Sequence, residues 1–230
     1  MDEPAWLTES DTVADMVNHP AFAGFGEHLV PRPGDAQSRL PLREVGSLMP
    51  WHSHVRPGIV TAALNRMIND AMTGKAVFYP FYTEGEKQER TGLFYYRGKP
   101  GAPFALIFPG GGFSYVGSLH EGFPLADVLS RKGYNAFVLQ YRTGSQAVAY
   151  EDMAAALSWI FHHAEELEIS TQGYSLWGGS AGAHGGRPWL LRPGGLRRRA
   201  GPAPGGRGHG LYRAYPLHGE RSPDLCRGQP

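Results

Sequence analysis

Residues 174–184 read YSLWGGSAGAH, an apolar stretch that runs into a serine flanked by small residues. Within it, residues 178–182 match the pattern G-x-S-x-G, with Ser180 at the centre. A strand that turns sharply into a helix strains the serine backbone, and larger flanking side chains would collide with the neighbouring elements. The pattern predicts a strand over 174–179 that places Ser180, as a nucleophile, at the C-terminal edge of a sheet. The alternative interpretation is a glycine-rich strand-to-helix turn without catalysis.

A second signal lies at residues 104–113, FALIFPGGGF, where an apolar run ends in three glycines. An all-apolar run of this length is typical of a strand buried on both faces. Glycines directly after it let backbone N–H groups face a ligand, as in one half of an oxyanion hole for acyl transfer. The alternatives are a phosphate-binding loop or a tight turn. This loop lacks both the G-K-[ST] of a Walker loop and the G-x-G-x-x-G of a dinucleotide site.

Strand-like and helix-like patterns alternate along much of the chain. Apolar and β-branched runs predict strands over 76–82, 92–98, 104–108, 134–141 and 174–179. Apolar stripes at helical spacing predict helices over 57–73, 121–132 and 146–167. Pro80 favours an edge position for the first strand. The alternation predicts an α/β fold with a mostly parallel sheet and right-handed crossover helices.

With these motifs, residues 76–184 resemble the α/β-hydrolase esterases. The resemblance is closest to the bacterial acetyl-esterase and feruloyl-esterase-like branch, which carries P-G-G-G-[FY] where hormone-sensitive-lipase relatives carry H-G-G-G. It implies that Ser180 is the nucleophile and that Gly111, Gly112 and Ala181 supply oxyanion N–H groups. It also implies a small-molecule ester substrate, with small acyl or carbohydrate-linked groups, and neither a cofactor nor a metal. The family further carries three more strands, an Asp after the seventh and a His after the eighth.

The composition changes near Gly185. Residues 186–230 contain nine Arg, two acidic residues, ten Gly and seven Pro, and they lack Ile, Val and Phe. Such a segment is not expected to supply ordinary core strands. Arg, Gly, Pro and Ala have codons rich in G and C, and a one-base shift of residues 192–230 can encode a segment that contains the strand-like run AAVVMAY. We therefore hypothesise that the reading frame changes near residues 184–191, before the catalytic Asp and His were encoded.

These observations divide the chain into three parts. Residues 1–75 form an N-terminal arm with a helix, 76–185 a partial α/β-hydrolase core, and 186–230 an aberrant Arg/Gly/Pro-rich tail. We expect an incomplete α/β-hydrolase fold that lacks its last strands. We also expect the tail to have little regular structure and the chain as written to be almost inactive.

Histidines and acids elsewhere offer other candidates. His209 or His218 could form a triad with Asp224 and Ser180, but nothing in the sequence pattern predicts that the tail folds around Ser180. His120 and Glu121 follow the glycine loop, where a helix-start neighbour and a first-turn acid are the simpler interpretation.

Two further histidine groups have structural interpretations. Trp51, His52 and His54 either line a pocket mouth or pack as part of the arm, and packing is the expectation. His162 and His163 lie late in an amphipathic helix and are expected at the surface.

Other function classes remain to be weighed. A related serine peptidase would use the same serine turn, and an Arg/Gly-rich tail is also typical of RGG-like nucleic-acid binding. The sequence shows neither a propeller nor an exopeptidase acidic anchor, so ester substrates are preferred over peptides. The tail lacks aromatic residues between its arginines apart from Tyr212 and Tyr215, so nucleic-acid binding is not expected. No apolar run approaches the roughly 20 residues of a membrane span, so no membrane partner is expected. The acidic N-terminal stretch lacks the apolar core of a secretion signal, so we expect a cytoplasmic protein. The sequence leaves the oligomeric state open.

Overall fold

The computed structural model describes residues 6–180 and the strand at 213–216. The helices are α1 (Val13–Val17), α2 (Pro57–Met72), α3 (Gly85–Arg90), α4 (Phe123–Arg131) and α5 (Gln146–His162). The strands are β1 (Phe78–Tyr79), β2 (Gly92–Tyr96), β3 (Pro103–Phe108), β4 (Asn135–Gln140), β5 (Ser170–Gly178) and β6 (Arg213–Pro216). Short 3₁₀ turns occupy much of residues 20–48, and a π-helical turn covers Ser118–Gly122.

The strands form one mixed sheet in the order β1-β2-β4-β3-β5-β6. β3 lies at the centre and pairs in parallel with both β4 and β5. The remaining pairings, β1 with β2, β2 with β4 and β5 with β6, are antiparallel. The predicted α/β fold is therefore confirmed, as is the adjacency of the three predicted strands over 104–108, 134–141 and 174–179. The parallel part of the sheet is limited to its centre.

Two short elements of the structure were not predicted from the sequence. The charged stretch between β1 and β2 contains α3, whose Glu86 and Arg90 form an ion pair at helical spacing. In the tail, Arg213–Pro216 pairs with residues 175–178 of β5. An unpaired strand edge offers a row of backbone donors and acceptors, which explains why a short tail segment pairs there. This four-residue pairing was not expected under the frame-change hypothesis. The other residues of 186–230 lie outside the described part of the chain, so the expectation of little regular structure in the tail stays a prediction.

The helix α2 follows the predicted pattern closely. Pro57 occupies its first turn, where a missing N–H costs nothing, and the chain leaves the helix through Gly74 at φ 80°. Of the predicted apolar stripe, the four central residues are buried, namely Ala63, Leu64, Met67 and Ile68. The end residues Ile59 and Met72 are 45% and 53% exposed. α2 therefore packs through its middle, against α4.

The sheet separates two hydrophobic clusters. One cluster joins the N-terminal arm, α2 and α4 to one face of the sheet, with Phe94, Ile107 and Val138 among its members. The other covers the opposite face under α5, with Leu106 and Phe137 among its members. Alternate residues of β3 enter different clusters because successive strand side chains point to opposite faces. Burial of each large apolar side chain contributes about 1.5–3 kcal/mol, so the central strands anchor both layers.

A buried carboxylate joins α5 to the end of β4. Asp152 in α5 is fully buried and accepts hydrogen bonds from the Arg142 backbone N–H at 2.8 Å and from the Arg142 Nη2 at 2.6 Å. The Tyr82 hydroxyl donates a third bond at 2.9 Å. These contacts hold the chain where it leaves the parallel centre of the sheet. Within residues 6–180 and 213–216, no helix is long and apolar enough to cross a bilayer.

We predict that Asp152→Ala lowers the free energy of unfolding by about 3–5 kcal/mol, because it leaves the largely buried Arg142 without its main partner. Urea unfolding followed by circular dichroism measures this change. Glu151→Ala is the matched control, since Glu151 pairs with the same arginine from an exposed position. The control should lose less than about 1 kcal/mol. Equal losses for the two variants would contradict the prediction.

Candidate active site

Ser180 is the second residue after β5, at the C-terminal edge of the sheet, and it is exposed to solvent. Its φ of 45° is in the left-handed region, which non-glycine residues rarely adopt. A backbone conformation of this kind costs about 1–3 kcal/mol and persists only where the surroundings impose it. The position and strain of Ser180 are those expected for a nucleophile on a sharp turn after a strand.

The glycine loop after β3 lies beside this serine. A Cβ placed on Gly110 would be 3.2 Å from the Ser180 Cβ and 3.0 Å from the Gly179 carbonyl oxygen, so only glycine fits without displacing the turn. The loop closes through a bond from the Gly117 N–H to the Gly110 carbonyl at 2.9 Å. The Tyr141 hydroxyl donates to the Pro109 carbonyl at 2.8 Å and holds the start of the loop. The parallel pairing of β3 with β5 thus brings the two sequence motifs together.

The N–H groups of the next two glycines are suited to bind an anion. Gly111 and Gly112 have φ values of 135° and 61°, which turn their peptide units away from the strand direction. Neither N–H has an acceptor among the residues that the structure describes. Backbone donors of this kind stabilise negative charge on a carbonyl oxygen during acyl transfer.

Glu121 connects the glycine loop to the serine turn. Its carboxylate accepts a hydrogen bond from the Gly110 N–H at 2.6 Å. A Cβ on Gly179 would overlap this carboxylate, whose Cδ would be only 2.9 Å away. The Glu121 side chain is 13% exposed. The carboxylate therefore occupies the space between the backbones at the ends of β3 and β5.

The N-terminal arm holds Glu121 from its other side. The His52 Nε2 lies 3.0 Å from the Glu121 Oε1, and the His52 Nδ1 lies 2.7 Å from the Tyr115 hydroxyl. The Trp51 backbone N–H donates to the same hydroxyl at 3.3 Å. An ionised carboxylate only accepts hydrogen bonds, so the His52 Nε2 that faces Glu121 is assigned as the donor, and Nδ1 can then accept from the Tyr115 hydroxyl.

Titration of the site follows from this network. Burial alone raises the pKa of Glu121, but hydrogen bonds from His52 and from the Gly110 N–H outweigh it and hold that pKa below its usual value. Burial lowers the pKa of His120, and the neighbouring His52 lowers it further. Glu121 is consequently ionised at neutral pH, and the Gly110 N–H and the His52 Nε2 stabilise its negative charge.

The predicted candidates have different outcomes. Ser180, Gly111 and Gly112 lie in one region at the sheet edge. Ala181 lies outside the described residues, as do the tail candidates His209, His218 and Asp224. The assignment of these residues stays a prediction.

The expectation for Glu121 holds for its position, since it lies in the first turn of the π-helical segment before α4. Its carboxylate has a further contact that was not predicted, because it reaches back to the Gly110 N–H. The sequence offered one signal, an acid soon after the glycine loop. Its pairing with His52 was not readable, because 69 residues separate the two along the chain.

The remaining aromatic and histidine candidates divide between packing and exposure. His52 is packed as expected for the arm, whereas Trp51 is 65% exposed and stacks on Tyr115 with ring centroids 5.4 Å apart. His162 is exposed as predicted, while His163 is partly buried and stacks on Trp159.

Comparisons with known proteins extend this description. Residues 97–186 match the BD-FAE family model. An acetylxylan esterase from Xylanibacter ruminicola is 31% identical over 78 residues, which cover 33% of this chain and 16% of the relative. The chain thus spans a small part of the length of that relative.

Solved structures give similar matches. MGS-M1, an α/β-hydrolase enzyme from a Medee basin deep-sea metagenome library, is 29% identical with a TM-score of 0.44, and the match covers 52% of each chain. The acetyl ester-xyloside bifunctional hydrolase from Caldicellulosiruptor lactoaceticus is 25% identical with a TM-score of 0.42, over 47% of this chain and 44% of that one.

We predict that Gly179→Ala destabilises the protein by about 1–3 kcal/mol, since its methyl group displaces a carboxylate that His52 and Gly110 hold in place. Thermal unfolding of the purified variant measures the loss. Gly34→Ala is the control, because a Cβ at Gly34 meets nothing within 4 Å. The control should stay within about 0.5 kcal/mol of the wild type. A Gly179→Ala variant as stable as Gly34→Ala would show that the carboxylate is free to move.

We also predict that acid destabilises the wild type more steeply than Glu121→Gln. The folded-state pKa of Glu121 is below its ordinary value of 4.5, so its contribution to stability is complete above that value. The contribution is lost as the pH falls below 4.5 and through the lower pKa of the folded state. Urea unfolding in steps from about pH 6 to about pH 3 compares the two slopes. Parallel curves for the two proteins would rule out this role of the carboxylate.

Proposed function

We propose that this chain, whose residues 97–186 match the BD-FAE family model, hydrolyses carboxylic esters through an acyl-enzyme on Ser180. One observation carries the proposal. An exposed serine is held at positive φ beside a glycine loop in which the Gly111 and Gly112 N–H groups have no acceptor among the described residues. A nucleophile and an oxyanion site at this separation are the two parts that acyl transfer requires.

In the proposed reaction, the Ser180 oxygen attacks the carbonyl carbon of the ester and the carbonyl electron pair moves to oxygen. The N–H groups of Gly111, Gly112 and Ala181 bind the oxyanion. The tetrahedral intermediate collapses to an acyl-serine and the alcohol leaves with a proton. Water then attacks the acyl-serine, which releases the acid and restores the hydroxyl.

The proton transfers require a base, which the family resemblance places on a histidine after the eighth strand. Among the residues that the structure describes, no histidine is hydrogen-bonded to the Ser180 hydroxyl. His209 and His218 lie in the remaining chain, but nothing in the sequence pattern folds the tail around Ser180, so we propose that neither acts as an efficient base. Without a working base, hydrolysis falls by a factor on the order of 10⁴–10⁶, so we propose that turnover by this chain is slow.

The substrate class proposed is small esters, with acetyl as the first acyl group to test. The acetylxylan esterase relative supports this choice through its name, and the resemblance to the acetyl-esterase branch supports it through the P-G-G-G-F loop. Carbohydrate-linked acetyl esters are the natural extension.

We predict that p-nitrophenyl acetate acetylates Ser180 stoichiometrically. Attack on this activated ester needs little assistance from a base, whereas release by water does, and the acetyl-enzyme should accumulate. Mass spectrometry of the intact protein and of its peptides measures one added acetyl group on Ser180. Ser180→Ala should gain none, and Ser158→Ala, which removes an exposed serine on α5, should behave as the wild type.

Two outcomes would change the proposal. Acetylation that is unaffected by Ser180→Ala would refute Ser180 as the nucleophile. Brisk turnover that Ser180→Ala abolishes would overturn the slow-turnover part, and it would mean that a residue beyond 180 supplies the base. His209→Ala and His218→Ala would then identify that residue.

A further inference from the structure

Glu121 is a buried acid for which the proposed reaction has no chemical use. It is neither the nucleophile nor an oxyanion donor, yet its side chain is only 13% exposed. Burial of a carboxylate is costly in free energy unless the charge is hydrogen-bonded. We therefore expect the buried Glu121 carboxylate to have a structural or functional role. Its surroundings indicate that role.

The carboxylate touches both loops that form the candidate site. One oxygen accepts from the Gly110 N–H, one residue before the first oxyanion glycine. The same oxygen would be 2.9 Å from a Cβ on Gly110, and the carboxylate also fills the space where a Cβ on Gly179 would lie. Gly110 and Gly179 are the residues that follow Pro109 and precede Ser180. Any shift of the carboxylate therefore moves the loop relative to the serine.

The position of the carboxylate is itself determined by a chain of hydrogen bonds. It runs from the Trp51 N–H to the Tyr115 hydroxyl, from that hydroxyl to the His52 Nδ1, and from the His52 Nε2 to the Glu121 Oε1. Each donor in this series of hydrogen bonds has one acceptor, so rotation of the Glu121 carboxylate breaks at least one hydrogen bond. The His52 ring is also packed tightly, since a Cβ on Gly117 would be 2.8 Å from its Cε1.

We propose that Glu121 is a positioning residue that holds the oxyanion loop in register with Ser180, and that His52 and Tyr115 act through it. This inference rests on the proposed function, because the loop matters to catalysis only if Ser180 is the nucleophile. The carboxylate fixes the Gly110 peptide and thereby the direction of the N–H groups that follow. Orientation of the donors before reaction is what makes an oxyanion site effective.

The test combines two measurements on the full chain. Hydrogen exchange of the Gly110–Gly112 amides, followed by NMR, measures how firmly the loop is held, whether or not the protein is active. Stopped-flow acetylation of Ser180 by p-nitrophenyl acetate measures the maximal rate and the ester concentration that gives half of it. The variants are Glu121→Ala, Glu121→Gln and, as a control, Glu166→Ala at an exposed position.

In Glu121→Ala, exchange at Gly110 should accelerate by at least roughly ten-fold, because its amide loses an ionised acceptor. The maximal acetylation rate should fall by roughly ten-fold to a hundred-fold, while the half-saturating ester concentration stays nearly constant. Glu121→Gln should recover most of both losses, since its amide oxygen still accepts from Gly110 and its size is unchanged. Glu166→Ala should match the wild type.

Each contrary outcome has a distinct meaning. Unchanged exchange in Glu121→Ala would overturn the positioning role. Faster exchange with an unchanged acetylation rate would also overturn it, because the carboxylate would then be structural only. Absence of acetylation in the wild type would refute the proposed function instead, and the exchange measurement alone would decide whether Glu121 holds the loop. If Glu121→Ala does not fold, His52→Gln is the substitute variant, because it removes the hydrogen bond from His52 to Glu121. Amide exchange at Gly110 should then also be faster than in the wild type.

Discussion

Parallel strands that lie side by side end at the same edge of a sheet, and here β3 and β5 end together at Phe108 and Gly178, which are paired in register. This single constraint places the glycine loop and the serine turn next to each other, although about 70 residues separate them in the chain. The central position of β3 makes the constraint firm. Its residues are packed on both faces, so the strand cannot slide without moving both hydrophobic clusters.

The ends of the strands are aligned to within a peptide unit, but an oxyanion site needs finer alignment than a sheet provides. In this protein a buried carboxylate supplies it. Glu121 contacts the backbone after both strands, and the absence of side chains at Gly110 and Gly179 leaves the space that it occupies. The two glycines are therefore needed to admit the acid between the strand ends.

The N-terminal arm is part of this arrangement and shares the hydrophobic cluster of α2, α4 and the sheet. Its residues Trp51 and His52 reach the loop through Tyr115, which is itself a residue of that loop segment. A charge network on the opposite face, centred on the buried Asp152, holds the end of β4 against α5. Polar contacts at the C-terminal edge thus fix the loops, while apolar packing fixes the strands.

The order of the main elements was readable from the sequence, because apolar periodicity reports directly which residues will be buried. The strands at 104–108, 134–141 and 174–179 and the helix α2 follow that pattern closely. Local sequence also indicated the serine turn and the glycine loop, since both need small residues at fixed positions. The helix α3 and the pairing of Arg213–Pro216 were missed. One depends on charge pairs within a short polar segment, and the other depends on an available strand edge elsewhere in the chain.

What the tertiary structure alone decided is the set of partners that surround Ser180. Glu121 reads in the sequence as an ordinary acid before a helix, and His52 as an arm residue, because their hydrogen bonds join segments far apart along the chain. Such contacts produce no periodic pattern in the sequence, because each depends on a single residue of one type at a single position. The sequence by itself determined which residue types stand at the sheet edge. Only the packing of the arm, the π-helical turn and the two strand ends decided that a buried carboxylate lies between them.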